Sequence, residues 1–482
     1  VLPEPIGAGD IAVRLGAVWI PDTDHQQFLA ELLNDRHGHV EVTHLTGSQW
    51  DVKGPKWGVE ATTEWGTRRM PAGTLTGHLI AQRAIVVHDT LEDGSRVLNP
   101  TETEAAQEKA RLMQERFAAW VWEEPERATR LLTEYNRRFN STVLRDYTAD
   151  GQRLTLPGLA KSFTPRRHQL SAVARMINEP CVGLFHDVGA GKTAEMIIGA
   201  TELRRLGLIR KPAVVVPNNM LMQFATDWLQ LYPQAKILAA STDDLTADNR
   251  RRFVARVATN DWDGVIMTRT AFERLTLTPE HEADYHDRQL DQIREALIAV
   301  KHAKGESVSV KRLEKAVLRA EEKLKELRDR ATDPDLHFEY TGIDYLVVDE
   351  MHQYKNLATT SAIPDANILG SKRATDLHAK VDYLRHTNGN RVLTGATATP
   401  LANSITEMYV VQRYLDPDAL NRAGLTDFDS WAATFGEVVT GPELAVAGGG
   451  RFKVKNRFAR FTNVPELLAM FHAFGDVKTA AD

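Results

Sequence analysis

Residues 186–193 read HDVGAGKT. They close the apolar run CVGLFH (181–186) and open TAEMIIGATELRRLG (193–207), whose apolar positions recur at helical spacing. Strand, glycine-rich loop and helix in that order form a phosphate-binding turn. Gly189 and Gly191, with Ala190 between them, let the backbone fold tightly enough to aim N–H groups at phosphate oxygens. The start of the helix adds its partial positive charge. Lys192 is spaced to reach the β- and γ-phosphates of a nucleotide, and Thr193 to ligate Mg²⁺. The usual pattern begins with Gly where His186 stands, so the strict motif is missed by one residue. The plain alternative is a glycine-rich turn before an ordinary helix.

Further apolar runs flank this loop: AVVVP (213–217), KILAA (236–240), GVIMT (264–268), YLVVDE (345–350) and RVLTGA (391–396). Helical patterns separate most of them, and such alternation predicts an α/β domain with a parallel sheet. YLVVDEMHQYKN (345–356) ends a strand in two acids. Asp349 at the strand's carboxyl end suits Mg²⁺ beside the loop. Glu350 suits the orientation and deprotonation of an attacking water. Alone, two acids after a strand are usually a solvated strand end. A Thr-rich loop with Thr397 and Thr399 follows RVLTGA. In FTPRRHQ (163–169), the Gln169 amide offers the donor and acceptor that an adenine edge requires.

These pieces, in this order, resemble the first motor domain of superfamily two helicases and translocases, closest to the Swi/Snf-like branch. HDVGAGKT is similar to that branch's phosphate loop, FTPRRHQ to its adenine-reading motif and VVVPNNMLMQFATDW (214–228) to the motif after its second strand. VVDEMHQYKN (347–356) resembles its DExH motif, and TATPLAN (397–403) its third motif, with Ala398 where Gly is usual. The resemblance implies a RecA-like fold. It implies that Gln169, Gly189, Ala190, Gly191, Lys192 and Thr193 bind ATP, and that Thr193 and Asp349 hold Mg²⁺. It also implies that Lys192, Asp349 and Glu350 are catalytic, and that His352 couples the nucleotide to Thr397 and Thr399. The track it implies is DNA, in duplex form, with Asn218, Asn219, Arg269, Lys372 and Arg373 as candidate contacts. Segments RLGAVWIP (14–21), TEWGTRRMP (63–71) and YNRRFN (135–140) look like the region before the helicase in phage- and plasmid-borne proteins that join it to a DNA adenine methyltransferase. No Asn-Pro-Pro-aromatic motif is present, so a methyltransferase is expected outside this chain; Asn99-Pro100 reads as a turn. Such motors complete their site with arginines from a second RecA-like domain. Only 82 residues follow Pro400, and the chain opens on Val1 rather than Met. Both features read as a piece of a larger machine whose isolated hydrolysis is weak.

The rest of the chain divides around this core. Residues 1–155 carry six of the nine tryptophans (Trp19, Trp50, Trp57, Trp65, Trp120 and Trp122) and read as a mixed α/β accessory domain. Stacking on nucleobases is conceivable for them, but core filling is the commoner use. Residues 156–415 form the expected RecA-like ATPase domain. Within it, 277–335 carries Leu290, Ile293, Leu297 and Val300, then Val310, Leu313, Val317, Ala320, Leu324 and Leu327, at spacings of three and four around Gly305. This predicts an antiparallel helical hairpin with a coiled-coil-like seam. Residues 416–482 read as a C-terminal extension toward an absent second motor domain, with a β-hairpin at the glycines 448–450.

Composition limits the alternatives. Hydrophobic residues are 43% and charged residues 26%, the balance of a folded domain. The 59 Lys and Arg against 65 Asp and Glu give a net charge of −6, which excludes coating nucleic acid by bulk charge. The single cysteine, Cys181, excludes an intrachain disulfide and a cysteine zinc cage. No apolar run nears the roughly 18 residues of a membrane span, and no signal peptide opens the chain, so the expected compartment is cytoplasmic. An ATP-gated scaffold without catalysis is the second reading, and a P-loop enzyme unrelated to nucleic acid the third. Lys355-Asn356, the TATP loop and Gln169 count against the third.

Overall fold

The computed structural model describes residues 3–92, 94–304, 314–315, 317–322, 324–325, 337–361, 363, 368, 370–401, 405–444 and 452–479. The six apolar runs become strands β1 (Cys181–His186), β2 (Pro212–Val216), β3 (Ile237–Ala240), β4 (Gly264–Thr268), β5 (Tyr345–Asp349) and β6 (Leu393–Ala396). A seventh, β7 (Gly475–Lys478), joins them. The order is β7-β1-β6-β5-β2-β4-β3, and every pairing is parallel. Every residue of β1, β2, β4 and β6 is buried. Helices cover both faces of such a sheet, which is why these strands read as continuous apolar runs rather than alternating ones. The fold is a RecA-like α/β domain.

The last strand comes from the stretch set apart above as a C-terminal extension. It takes the free edge of β1, with Gly475 opposite Gly183 and Lys478 opposite His186. GDVK is short and half polar, so no apolar run marks it in sequence. Nearby, Gly436–Leu444 and Phe452–Phe461 pair antiparallel. The glycines 448–450 expected to turn this hairpin lie outside the described residues.

The front region packs two long helices, α1 (Pro100–Glu123) and α2 (Pro125–Phe139). Asn99-Pro100 is a helix start, not a turn. The Asn99 side chain accepts from the Glu102 N–H, and Pro100 occupies the first helical position, where its missing N–H costs nothing. Pro125 restarts the chain as α2, with the Glu124 carboxylate accepting from the N–H groups of Glu126 and Arg127. Trp19, Trp50 and Trp120 are buried, and Trp65 and Trp122 pack against the same core; Trp57 is exposed.

The front region shares a single hydrophobic cluster with one side of the sheet domain. Tyr135 Oη donates to Glu466 Oε1 at 2.8 Å. The Asn463 amide bonds both the N–H and the carbonyl of Ala12. The rings of Phe139 and Phe435 lie 5.7 Å apart.

Helices α3 (Arg167–Asn178) and α4 (Lys192–Arg205) flank β1 in sequence. Helix α5 (Pro279–Lys304) is the first arm of the insertion. Its partner arm is helical at 314–315, 317–322 and 324–325. Arg294 pairs with Glu321 at 2.6 Å and Lys301 with Glu314 at 2.7 Å, so the partner numbers fall as α5 advances and the arms are antiparallel. Ala283, Leu290 and Leu324 are buried between them, with Val317 and Ala320 packed alongside. Gly305, Val310, Leu313 and Leu327 lie outside the described residues. Among those described, no helix is long and apolar enough to cross a membrane.

Candidate functional site

Strands β1, β6 and β5 are neighbours, and their carboxyl ends carry HDVGAGKT, the Thr-rich loop and the two acids. In open α/β sheets this edge is where ligands bind. Thr397 N donates to Leu184 O at 3.0 Å, fastening the β6 loop beside the end of β1.

The loop has the backbone of an anion cradle. Gly189 and Gly191 adopt φ of +86° and +93°, which side chains with a Cβ rarely take. A Cβ on Gly191 would sit 2.3 Å from Gln169 Nε2. Lys192 begins α4, and its ammonium donates to the carbonyls of His186 (2.7 Å) and Asp187 (3.1 Å), lying across the loop. Thr193 follows, half-buried in the first turn.

Gln169 is buried, and its amide is engaged within the protein. Oε1 accepts from Arg166 N at 2.8 Å, while Nε2 donates to the carbonyls of Ala190 (3.4 Å) and Gly191 (3.3 Å). His168 beside it reaches Ala190 O at 2.9 Å. Both side chains therefore hold the loop from the start of α3.

On the acidic side, burial and the neighbouring Glu350 carboxylate push Asp349 up to about 6, against a lowering pull from Lys192. Glu350 stands at φ +54°, left-handed for a non-glycine residue. That conformation costs on the order of 1–3 kcal/mol, and such outliers concentrate at working sites. Glu350 Oε2 lies 3.0 Å from His352 Nδ1, which is also 3.0 Å from Thr397 Oγ1. Thr397 Oγ1 accepts in turn from Thr399 N at 3.1 Å. Gln353 Nε2 approaches His352 Nε2 at 2.7 Å. With that amide nitrogen as the donor, Nε2 accepts and the ring proton is assigned to Nδ1, facing Glu350 and Thr397. The chain Glu350–His352–Thr397–Thr399 is thus continuous.

Sequence reasoning missed four contributors: His168, Gln353, Glu195 and Asp476. Glu195 is fully buried in the first turn of α4, with Oε1 3.0 Å from His186 Nδ1. Asp476 of β7 lies 3.7 Å from His186 Nε2. Burial opposes a charge on this imidazole, but the flanking carboxylates outweigh it and raise His186 to about 9. Gln353 sits inside the DExH stretch and was open to notice. Asp476 carries no local signal. Among the track candidates, Asn218 accepts from Thr270 Oγ1 at 3.0 Å and Arg373 pairs with Glu273 at 2.5 Å. The trailing Lys355 binds Glu407 at 2.8 Å. In the front region, His44 reaches Gly47 O at 2.6 Å and His39 reaches Asp35 at 3.2 Å. No metal-holding cluster occurs among the described residues.

A family model described as a probable helicase domain matches residues 176–479, and one for a domain of unknown function matches residues 14–141. The defense against restriction protein B of Escherichia phage P1 is 23% identical over 421 residues. That alignment covers 78% of this chain and 18% of the phage protein, so the chain spans less than a fifth of that relative's length. A solved SWI2/SNF2 ATPase core from Sulfolobus solfataricus, in complex with dsDNA, is similar at a TM-score of 0.36 and 14% identity, over 68% of this chain and 47% of that one. The helicase model spans well over half the chain, from the end of α3 through β7, and the chain belongs to the probable helicase domain family.

Proposed function

We propose that this chain is the ATP-binding half of a nucleic-acid-dependent motor of the Swi/Snf-like type, moving on duplex DNA. The observation that supports it best is the meeting of three motifs at one edge of the sheet: the glycine loop, the acid pair and the His352–Thr397 contact. A Gly-rich turn or a solvated strand end explains each motif alone, but neither explains their convergence.

The residues suit the nucleotide. The left-handed glycines free loop N–H groups for phosphate oxygens, and Lys192, bonded to the carbonyls of His186 and Asp187, has donors to turn toward the β- and γ-phosphates. The donor set also suits Mg²⁺. Thr193 supplies a hydroxyl, and Asp349 is a carboxylate held up by burial and a like charge, which a divalent cation would relieve. Bound there, the cation would neutralise charge on the transferred phosphoryl group. Glu350 orients and deprotonates water, and His352 reports its state to the Thr397 loop. Gln169 positions the loop and, on exchanging a loop carbonyl for a base, reads adenine. The tracks and partners proposed are duplex DNA, a second RecA-like domain and an adenine methyltransferase on the larger protein.

The test is ATP binding and hydrolysis by residues 1–482, with and without duplex DNA, beside Lys192→Ala. We expect Lys192-dependent binding and slow turnover. Arginines from a second domain are worth roughly 10³–10⁵ in rate in related chemistry. Binding with no turnover in the larger protein, with or without DNA, would favour the gated scaffold. ATP binding indifferent to Lys192 overturns the site.

A further inference from the structure

His186 occupies the position where phosphate loops usually carry glycine, and the fold explains why glycine does not suffice. Its imidazole is fully buried between Glu195 of α4 and Asp476 of β7. Glu195 is itself fully buried, and Asp476 nearly so. A glycine here would remove the 3.0 Å partner of Glu195 and leave that buried carboxylate only His168 at 3.7 Å, an unfavourable arrangement. The histidine and the two acids therefore require one another.

Their position gives the cluster a consequence for the loop. The His186 carbonyl is the nearer anchor of the Lys192 ammonium. Asp187 N donates to Lys478 O at 2.9 Å, so β7 also grips the first loop residue through the backbone. Glu195 lies 3.7 Å from His168 Nε2, and that nitrogen holds Ala190 O. The contacts thus reach both ends of the loop. Among the described residues His186 Nε2 has no partner within hydrogen-bond distance and faces Asp476 across 3.7 Å, so a small shift of β7 against β1 would bring the two into a bond or part them.

We propose that His186, clamped by Glu195 and Asp476, is a positioning residue for the phosphate loop, and that strand β7 is thereby part of the nucleotide site. The proposal rests on the ATP-site reading above. Docking of β7 sets the aim of the His186 carbonyl and hence of Lys192, and nucleotide held by Lys192 favours docked β7 in return.

The experiment measures the affinity of a fluorescent ATP analogue for the 482-residue chain carrying Asp476→Asn, His186→Gln or both, with Lys192→Ala as control. Each single variant is expected to weaken binding about tenfold, and the double variant no more than the worse single, because the groups act as one unit. Unchanged affinity in both singles, with lowered melting temperatures, assigns the cluster a packing role only and overturns the proposal. If wild-type protein shows no Lys192-dependent binding, the ATP-site reading itself has failed and the proposal falls with it. Hydrogen exchange on unmutated protein covers variants that do not fold. ATP is expected to protect 187–191 and 475–478 together, and protection of the loop alone overturns the coupling.

Discussion

At residue scale, Glu350 and His25 show how much environment does for ordinary side chains. Glu350 combines a left-handed backbone with contact to His352, so its carboxylate is aimed rather than free. Glu350→Gln keeps the shape and removes the proposed base. We expect ATP binding to persist and kcat to fall at least about 100-fold, read by single-turnover hydrolysis. His25 is buried in the front core, where Nε2 accepts from Gly16 N and Nδ1 bonds Pro21 O. Burial lowers it to about 4, against 6.5 in an unfolded chain. Unfolding therefore takes up a proton between those values, and stability falls as pH drops through that window. His25→Gln should lose about 2 kcal/mol less than wild type on going from about pH 7 to about pH 5, measured by urea unfolding. The expected role of Glu350 was legible in the DExH stretch, whereas that of His25 was not. The polar stretch PDTDHQQ (21–27) gives no sign that His25 is buried or of its partners.

At the scale of elements, the glycine loop 186–193 was the most legible part of the chain, because strand, glycines and helix are contiguous. Its supports were not. Gln169 reads as an adenine contact, yet its amide binds the loop carbonyls, a pairing set by how α3 packs beside β1. Gly191→Ala tests that packing. The new methyl would meet Gln169 Nε2 at 2.3 Å and require a left-handed alanine, whereas Gly207, at φ +72°, has nothing within 4 Å. Gly207→Ala should cost about 1–2 kcal/mol from backbone strain alone. Gly191→Ala should cost more and also weaken ATP binding, compared by thermal melting and nucleotide titration. The helical insertion was legible from its apolar spacing, while its ion pairs depended on the register of the two arms. The edge strand β7 was not legible, because a half-polar run of four residues looks like a loop until β1 offers it an edge.

At the scale of the whole molecule, the front region and the motor are joined through buried contacts rather than by the chain alone. Tyr135 Oη is the partner of Glu466 Oε1, while Oε2 of the same carboxylate lacks one among the described residues. Tyr135→Phe should therefore cost about 1–3 kcal/mol, read as a lowered melting temperature. Because one hydrophobic cluster runs from Trp19 and Phe28 to Phe272 and Trp431, calorimetry should show the two regions unfolding in a single transition. Two separate transitions would show that the shared core does not couple them. The amino-acid sequence by itself determined the strand runs, the phosphate loop, the acid pair and the helical insertion. Each of these is written in residues close enough along the chain to share one strand, turn or helix. The tertiary structure alone decided that β6 lies between the loop strand and the acid strand, that β7 adds to the free edge of β1 and that Asp476 faces His186. Those contacts join residues far apart in the chain, and no local periodicity or spacing encodes which distant edge, carboxylate or carbonyl will be there when the sheet closes.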